Sequence, residues 1–380
     1  MSDIAITKCN TYEQSAVKTA LFETLDKIHG LDWVQPGMRI AVKTNLVTGS
    51  EPDKAVVTHP AVLVALTELL IERGATVIVG DSPGGPFSAG AVKHAYKLSQ
   101  LELVEQAGGH LNDNFDQTDA SNPEGRIMKQ VTYTSWLKEA DAVIGVCKLK
   151  THGMMRMSAN VKNFFGAIPG TMKLEYHYRF LNHADFADML VDINEFIKPR
   201  LYITDAIVGM EGNGPTAGTP REIGGLLAST DGYSLDQICA RIIGLEPMDV
   251  PTIKQAAERG LYNTDESTYN IIGSWQDLYI PDYHNIEQTT PISFEKWALP
   301  HFMVPVAKKL LQANPQVQSA ECIGCEKCKN ICPAKAITMQ DKKPVIDRDK
   351  CIRCFCCQEF CPKGAMKVKR GPLARLISKI

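Results

Sequence analysis

From residue 1 to about 285 the chain alternates short, continuous apolar runs with longer stretches of helical periodicity. That order predicts an α/β domain with a largely parallel sheet and helices on both faces. Arg39-Ile-Ala-Val42, Thr76-Val-Ile-Val79, Asp141-Ala-Val-Ile-Gly-Val-Cys147 and Leu201-Tyr-Ile-Thr204 are the continuous runs, the pattern of strands covered on both faces. Ile223 to Ala228 reads as a fifth. Thr11-Tyr-Glu-Gln14 is a capping box before a helix with Val17, Leu21 and Leu25 on one side. Thr58 is placed to cap a nearly all-apolar helix from Ala61 to Arg73, with Pro60 in its first turn. Further helices are expected from about Ser88 to Ala107, from Ala184 to Ile197, and after Ser234-Leu-Asp-Gln237. Residues 110–130 and 153–180 show no clean period. Residues 286–318, interrupted by Pro300 and Pro305, read as a linker, 319–368 as a small α+β module, and 369–380 as a basic tail.

The small module carries the most explicit chemistry. Cys322, Cys325, Cys328 and Cys332-Pro333 form one C-x₂-C-x₂-C-x₃-C-P run, and Cys351, Cys354, Cys357 and Cys361-Pro362 repeat it 29 positions later (322 to 351). This is the spacing of bacterial ferredoxins that hold two [4Fe–4S] clusters, in which the fourth Cys of each run ligates the other cluster. Cys322, Cys325, Cys328 and Cys361 are therefore assigned to one cluster, and Cys351, Cys354, Cys357 and Cys332 to the second. Structural zinc takes four ligands, usually as two pairs, and suits eight cysteines in two copies poorly. Cys356 is read as a non-ligand thiol inside the second run.

Composition changes this picture little. The 380 residues are 44% hydrophobic and 22% charged, with a net charge of −2, which gives no global field for nucleic acid. The first residues have no apolar signal region, and no run of about 18 apolar residues suggests a membrane span. The scattered Cys9, Cys147, Cys239 and Cys356 are expected to stay reduced, which places the chain in the cytoplasm, and the exposed type of cluster suggests an anaerobic or low-oxygen setting.

The polar residues of the large domain fall where its strands are expected to end: Lys43 and Asn45, Asp81 and Ser82, Lys148, Lys150 and His152, and Asp205. That edge hosts ligands in open parallel sheets. Asp81-Ser-Pro-Gly84-Gly resembles an anion-cradling turn before a helix, without being a dinucleotide or Walker loop; Asp81 is alternatively a metal or hydroxyl ligand. The stretch from Lys148 to Asn163 holds Lys148, Lys150, His152, Arg156, Asn160, Lys162 and Asn163 and no acidic residue, so it should attract a carboxylate or phosphate. His152 is the candidate general acid, with Lys148 and Lys150 beside it; His59 and His177 are weaker candidates, and Cys147 reads as an inert buried thiol.

Lys43-Thr-Asn-Leu46, Gly80-Asp-Ser-Pro-Gly84, Lys148-Leu-Lys-Thr-His152 and Asn160-Val-Lys-Asn-Phe-Phe-Gly166, followed by the twin cysteine runs, resemble in this order the family known as domain of unknown function 362. The resemblance covers nearly the whole chain and implies an α/β domain fused to a two-cluster ferredoxin. A looser similarity, in the order strand, His-Pro, apolar helix, strand, is to the amino-terminal lobe of lactate-racemase-like proteins, and is analogy only. The expectation is a redox enzyme: the clusters relay electrons to an anionic substrate or cofactor at the strand-end edge, and His152 or a lysine supplies a proton. Its partners would be a redox protein or a small anion; bound NAD is not expected, while a flavin or further metal is left open. The alternatives are an electron-transfer adaptor without its own active site and a metal- or cofactor-maturation protein.

Overall fold

The computed structural model describes residues 2–180, 182–286 and 314–369. The strands are β1 Asp3–Lys8, β2 Arg39–Lys43, β3 Thr76–Gly80, β4 His110–Leu111, β5 Gln117–Ser121, β6 Gln130–Thr134, β7 Ala142–His152, β8 Arg156–Ser158, β9 Leu201–Glu211, β10 Thr219–Ser229 and β11 Asn270–Ile272 in the large domain. The small module contributes β12 Asn314–Val317, β13 Ile337–Gln340, β14 Lys343–Ile346 and β15 Met366–Lys369. Nine strands form one sheet in the order β11-β1-β10-β9-β7-β2-β3-β4, with β8 folded back on β7. The pairs β7/β9, β7/β2, β2/β3, β3/β4 and β1/β11 are parallel, whereas β10 is antiparallel to both neighbours.

Alternate residues of each central strand feed two separate cores. Ile40, Val42, Val77, Val79, Ile144 and Val146 pack under the helices Gln14–Asp26 and Pro60–Ile71. Ala41, Ile78, Val143 and Cys147 face the helices His183–Ile197 and Gly232–Ile242 through Phe186, Met189, Leu235 and Ile238. Covering both faces is what makes the central strands read as unbroken apolar runs.

Several boundaries differ from the sequence expectation, each for a local reason. The first helix is capped by the Glu13 carboxylate, which accepts from Ser15 and Ala16 N–H, rather than by Thr11. His59 Nδ1 caps Pro60–Ile71, because the Thr58 hydroxyl is engaged by Val146 O and Asn45 N–H. Asp231, not Ser234, caps the helix at Gly232. The helix expected over 88–107 is two, Ala89–Leu98 and Glu102–Gln106, broken where Gln100 takes a φ of 55°. Most consequentially, β7 and β9 each run 11 residues, so Lys148, Lys150 and Asp205 lie inside the sheet rather than beyond its edge. Residues 314–317, read as linker, are a strand paired with 366–369. The rest of that linker from 287, and the tail from 370, lie outside the described residues.

The small module is an internal two-fold repeat. The pairs β12/β15 and β13/β14 are antiparallel, and short helices Lys327–Asn330 and Cys356–Glu359 occupy equivalent places 29 positions apart. Positive φ recurs at the same offset: Gly324 and Arg353, Glu326 and Phe355, Lys335 and Gly364. The cysteine loop, not residue identity, imposes this backbone, since Arg353 adopts at 58° what Gly324 adopts at 69°.

Candidate functional site

Beneath the strand-end edge, two buried lysines are fully engaged inside the protein. Lys148, at 1% exposure, pairs with Asp205 and reaches the Tyr12 hydroxyl at 2.6 Å. Tyr12 donates to Asp205 Oδ1 at 2.8 Å, and His59 N–H donates to Oδ2 at 3.0 Å. Lys43 Nζ lies 2.8 Å from Asp81 Oδ1, 3.0 Å from Asn163 Oδ1 and 2.6 Å from Thr44 O. Asp81 Oδ2 accepts from Leu46 N–H, while Oδ1 meets the Lys43 ammonium with poor hydrogen-bond alignment. Breaking such a pair from one side leaves a buried charge and costs about 3–5 kcal/mol. These four groups weld strand ends together. Lys150 differs: its Nζ donates to Val56 O and meets no carboxylate. Burial first, and then the neighbouring lysines 162 and 148, bring its pKa down to about 7.

Above Lys43 and Asp81 lies a cleft offering about 70 Å³ to the centre of a water-sized sphere, room for a small ligand or several waters. Lys162, Lys173 and His177 form its polar wall and Phe165, Leu174 and Phe360 its apolar wall. Asn45, Ser82, Gly84 and Asn163 also border it. Lys162 and Lys173 flank the Phe165 ring, each with Nζ 6.0 Å from its centroid. Neither forms an ion pair among the described residues. Lys173 Nζ instead donates to Ile168 O at 2.5 Å, Ser82 O at 2.8 Å and Ser82 Oγ at 3.2 Å. Burial lowers its pKa to about 7, against the opposing pull of Asp81. Burial likewise lowers Lys162. His177 is buried, stacks on Phe186 at 4.6 Å, is held near pKa 4 by burial, and leaves Nδ1 without a partner. Asn45 Oδ1 is also buried without a partner.

The roof of the cleft comes from the small module. Glu359 and Phe360 line it, and Phe360 packs so closely on Gly84 that a Cβ there would lie 2.2 Å from its Cζ. Gly84 is thus the residue that lets the module approach. Glu359 Oε1 lies 2.7 Å from His152 Nε2, though with poor hydrogen-bond alignment. His152 Nδ1 accepts from the N–H groups of Met154 and Met155, which puts the ring proton on Nε2, facing Glu359. Burial holds His152 near pKa 4. Burial would raise Glu359, but His152, Lys162 and His177 outweigh it and hold the carboxyl near 2. The docked pair at neutral pH is therefore a neutral imidazole and a carboxylate. Gln358 adds hydrogen bonds to Gly214 O at 2.8 Å and Asn213 O at 3.0 Å, and Thr216 donates to Glu359 O at 2.6 Å.

The eight run cysteines separate into two sets. Cys322, Cys325, Cys328 and Cys361 line one cavity; Cys332, Cys351, Cys354 and Cys357 line another. Ala336 N–H donates to Cys332 Sγ at 3.3 Å and Ala365 N–H to Cys361 Sγ at 3.2 Å, again 29 positions apart (336 to 365). Four thiols around a shared void, with amides aimed at sulfur, fit an iron–sulfur cluster in each set. Among the described residues no group of three or more His, Cys, Asp or Glu is placed to hold a single metal ion. Cys356 is fully buried outside both linings.

Of the residues expected at the anion site, Asn45, Asp81, Ser82, Gly84, Lys162 and Asn163 border the cleft. Lys43 lies beneath it and His152 behind Glu359. Lys148, Lys150 and Asp205 are packed in the sheet, Arg156 turns to Asp249 at 2.7 Å, and Asn160 bonds Asp236 and Thr204. The structure adds Lys173, Glu359 and Phe360. Lys173 and His177 are one helical turn apart on Met172–Arg179, a spacing legible in the sequence. Glu359 and Phe360 carry no such signal, because only docking brings them in.

The model described as "Domain of unknown function (DUF362)" matches residues 40–241, and one described as "4Fe-4S dicluster domain" matches 321–365. The thylakoid-associated protein sll1697 of Synechocystis sp. is 31% identical over 316 residues, covering 80% of this chain and 90% of that protein. The lactate racemase apoprotein of Thermoanaerobacterium thermosaccharolyticum aligns with a TM-score of 0.42 at 12% identity, over 64% of this chain and 58% of that one. Among the described residues no helix is long and apolar enough to cross a membrane.

Proposed function

The chain belongs to the DUF362 family and carries a 4Fe-4S dicluster domain, and we propose that it is an oxidoreductase in which two [4Fe–4S] clusters relay electrons to a small anion held in the Lys162–Lys173 cleft. The observation that carries this reading is the roof. Glu359 and Phe360 lie between Cys357 and Cys361, which belong to different cysteine sets, and the same two residues line the cleft. A ligand there is within reach of both sets through a few bonds of one segment.

Held by their two sets of thiols, the clusters would supply one-electron transfer. The chain's own residues supply the rest. Lys162 and Lys173 form no ion pair among the described residues, although Glu359 faces Lys162 from the roof and Lys173 also holds Ser82 and Ile168 O, so an anion in the cleft gains two ammonium neighbours. Phe165, Leu174 and Phe360 exclude water from the other side. Lys173, with a pKa brought down by burial to about 7, can hold or release a proton on Nζ at neutral pH. His152 acts on Glu359 and not on the ligand, as a positioning residue. Buried, unpaired Cys9, Cys147 and Cys239 support a reducing, cytoplasmic compartment.

The test is anion binding to anaerobically purified, iron-loaded protein, followed calorimetrically with phosphate, sulfate and short mono- and dicarboxylates. At least one should bind, and Lys162→Ala and Lys173→Ala should each weaken it about tenfold, the loss of one charge-assisted contact. Binding of none, or equal binding by the variants, would leave the large domain as a docking scaffold only.

A further inference from the structure

We propose that the outer face of the iron–sulfur module, centred on Ile323 and Cys325 and rimmed by Lys327, Lys342 and Lys363, docks a small acidic one-electron carrier protein. The two-fold repeat of the module makes its two cysteine sets directly comparable. The inner helix Cys356–Glu359 is pressed against the large domain, with Cys356 and Gln358 fully buried. Its equivalent, Lys327–Asn330, buries no residue. Cys325 is the one exposed cysteine among the 12, and Ile323 is 61% exposed. The equivalent Ile352 is partly covered.

The charge differs as well as the exposure. Lys327 and Lys363 line the same cavity as the outer thiols. The equivalent positions of the inner set hold Cys356 and Ala334. Lys342 packs against Gly324, its Cβ 3.1 Å from where a glycine Cβ would stand. None of these three lysines forms an ion pair among the described residues, whereas Lys329, Lys350 and Lys367 pair with Glu326, Asp347 and Glu321. The inner set's own cation, Arg353, is spent on Asn314 and on the Cys351 carbonyl. Glu326 lines the same cavity but is paired with Lys329, and an apolar centre with a net basic rim is the anatomy of a transient electrostatic interface. A second copy of this chain would bring the same lysines against one another, so the charge selects an acidic partner.

In the transfer itself, one electron would leave the reduced carrier, which is oxidised by one, and would be taken up by the iron–sulfur cluster that the outer cysteine set would hold, an iron going from ferric to ferrous. No bond forms or breaks. The proposal requires a cluster in the outer set but not any ligand in the cleft, so its failure and the failure of the cleft reading are separable.

The experiment uses the full, iron-loaded chain and, as probe, a reduced acidic [2Fe–2S] ferredoxin in stopped flow, with calorimetry on the oxidised form. Wild type should be reduced about tenfold faster at low salt than at high salt. The variant carrying Lys327→Glu, Lys342→Glu and Lys363→Glu should lose about tenfold at low salt, together with its salt dependence and a matching share of affinity. Ile323→Glu should weaken binding at every salt concentration. Lys342→Glu alone, outside the cysteine run, should give a part of the effect if the triple variant loads iron poorly. Reduction by photoreduced deazaflavin, small and uncharged, should be unchanged in all. Equal rates and affinities across the variants would overturn the proposal, as would an equal loss with deazaflavin, which would place the effect in the potential of the cluster.

Discussion

The two halves of the iron–sulfur module have the same backbone, the same cysteine spacing and opposite surroundings. In one half Gln358 is buried and Glu359 largely covered against the large domain, and they are hydrogen-bonded to Asn213, Gly214 and Thr216. In the other, the equivalent Lys329 and Asn330 face water, and Lys329 pairs only with its neighbour Glu326. Ligation constrains the cysteines and the turns between them; everything else is free to diverge. The residues between ligands have therefore taken on the character of what they face, domain on one side and solvent on the other.

The largest effect should come from removing one ligand of each set. Cys351→Ser and Cys322→Ser should each lower iron from about eight to about four per chain if each set holds one four-iron cluster. Iron analysis and electron paramagnetic resonance would read this, and full iron in either variant would break the assignment of that cysteine. Next, Gln358→Lys places the outer residue in the inner half. It buries an ammonium with only carbonyl partners and should cost about 2–3 kcal/mol of docking. Hydrogen exchange at 355–360 should rise strongly, while the mirror change Lys329→Gln should do nothing measurable.

Gly84→Ala should force the Phe360 ring aside, an overpacking cost of about 1–3 kcal/mol, seen as the same exchange increase in milder form. The pH dependence of the cleft follows from Lys173. Its pKa in the folded chain is lowered from 10.5 to about 7, so the unfolded chain binds more protons across that window and stability rises with pH there. Anion binding needs the protonated form, so affinity should be highest below about pH 7 and fall about tenfold per unit above it. Lys173→Met should flatten that dependence in calorimetry. The smallest effect belongs to the outer surface: Glu326→Ala, which removes the exposed partner of Lys329, should change stability by no more than about 1 kcal/mol.

The misassigned residues share a cause. Lys148 and Asp205 were legible as charged groups near strand ends, but a charge that serves a ligand and a charge neutralised in the core look alike in a linear chain. The apolar run stops at Cys147, yet β7 continues to His152, because Asp205 and Tyr12 satisfy a lysine that no local pattern pairs. Lys43 and Asp81 have the same history, being joined across neighbouring parallel strands. Lys173 was hidden for a different reason. It lies in a stretch without a clean apolar period, on a helix whose mean character is polar, and its spacing to His177 is the only trace.

By itself the sequence determined the α/β alternation and the two cysteine runs. Both rest on spacing within a few tens of residues: apolar runs set strands, and the cysteine spacing sets the loops. Tertiary structure alone decided which lysines are neutralised and which are left facing a cleft. It also decided which half of a symmetric module turns inward. Those outcomes depend on contacts between Gly84 and Phe360, His152 and Glu359, and Lys43 and Asp81, groups separated by 38 to 276 positions (43 to 81, 84 to 360). Burial and Coulomb energies are set by distance in space, and no periodicity along the chain encodes that distance.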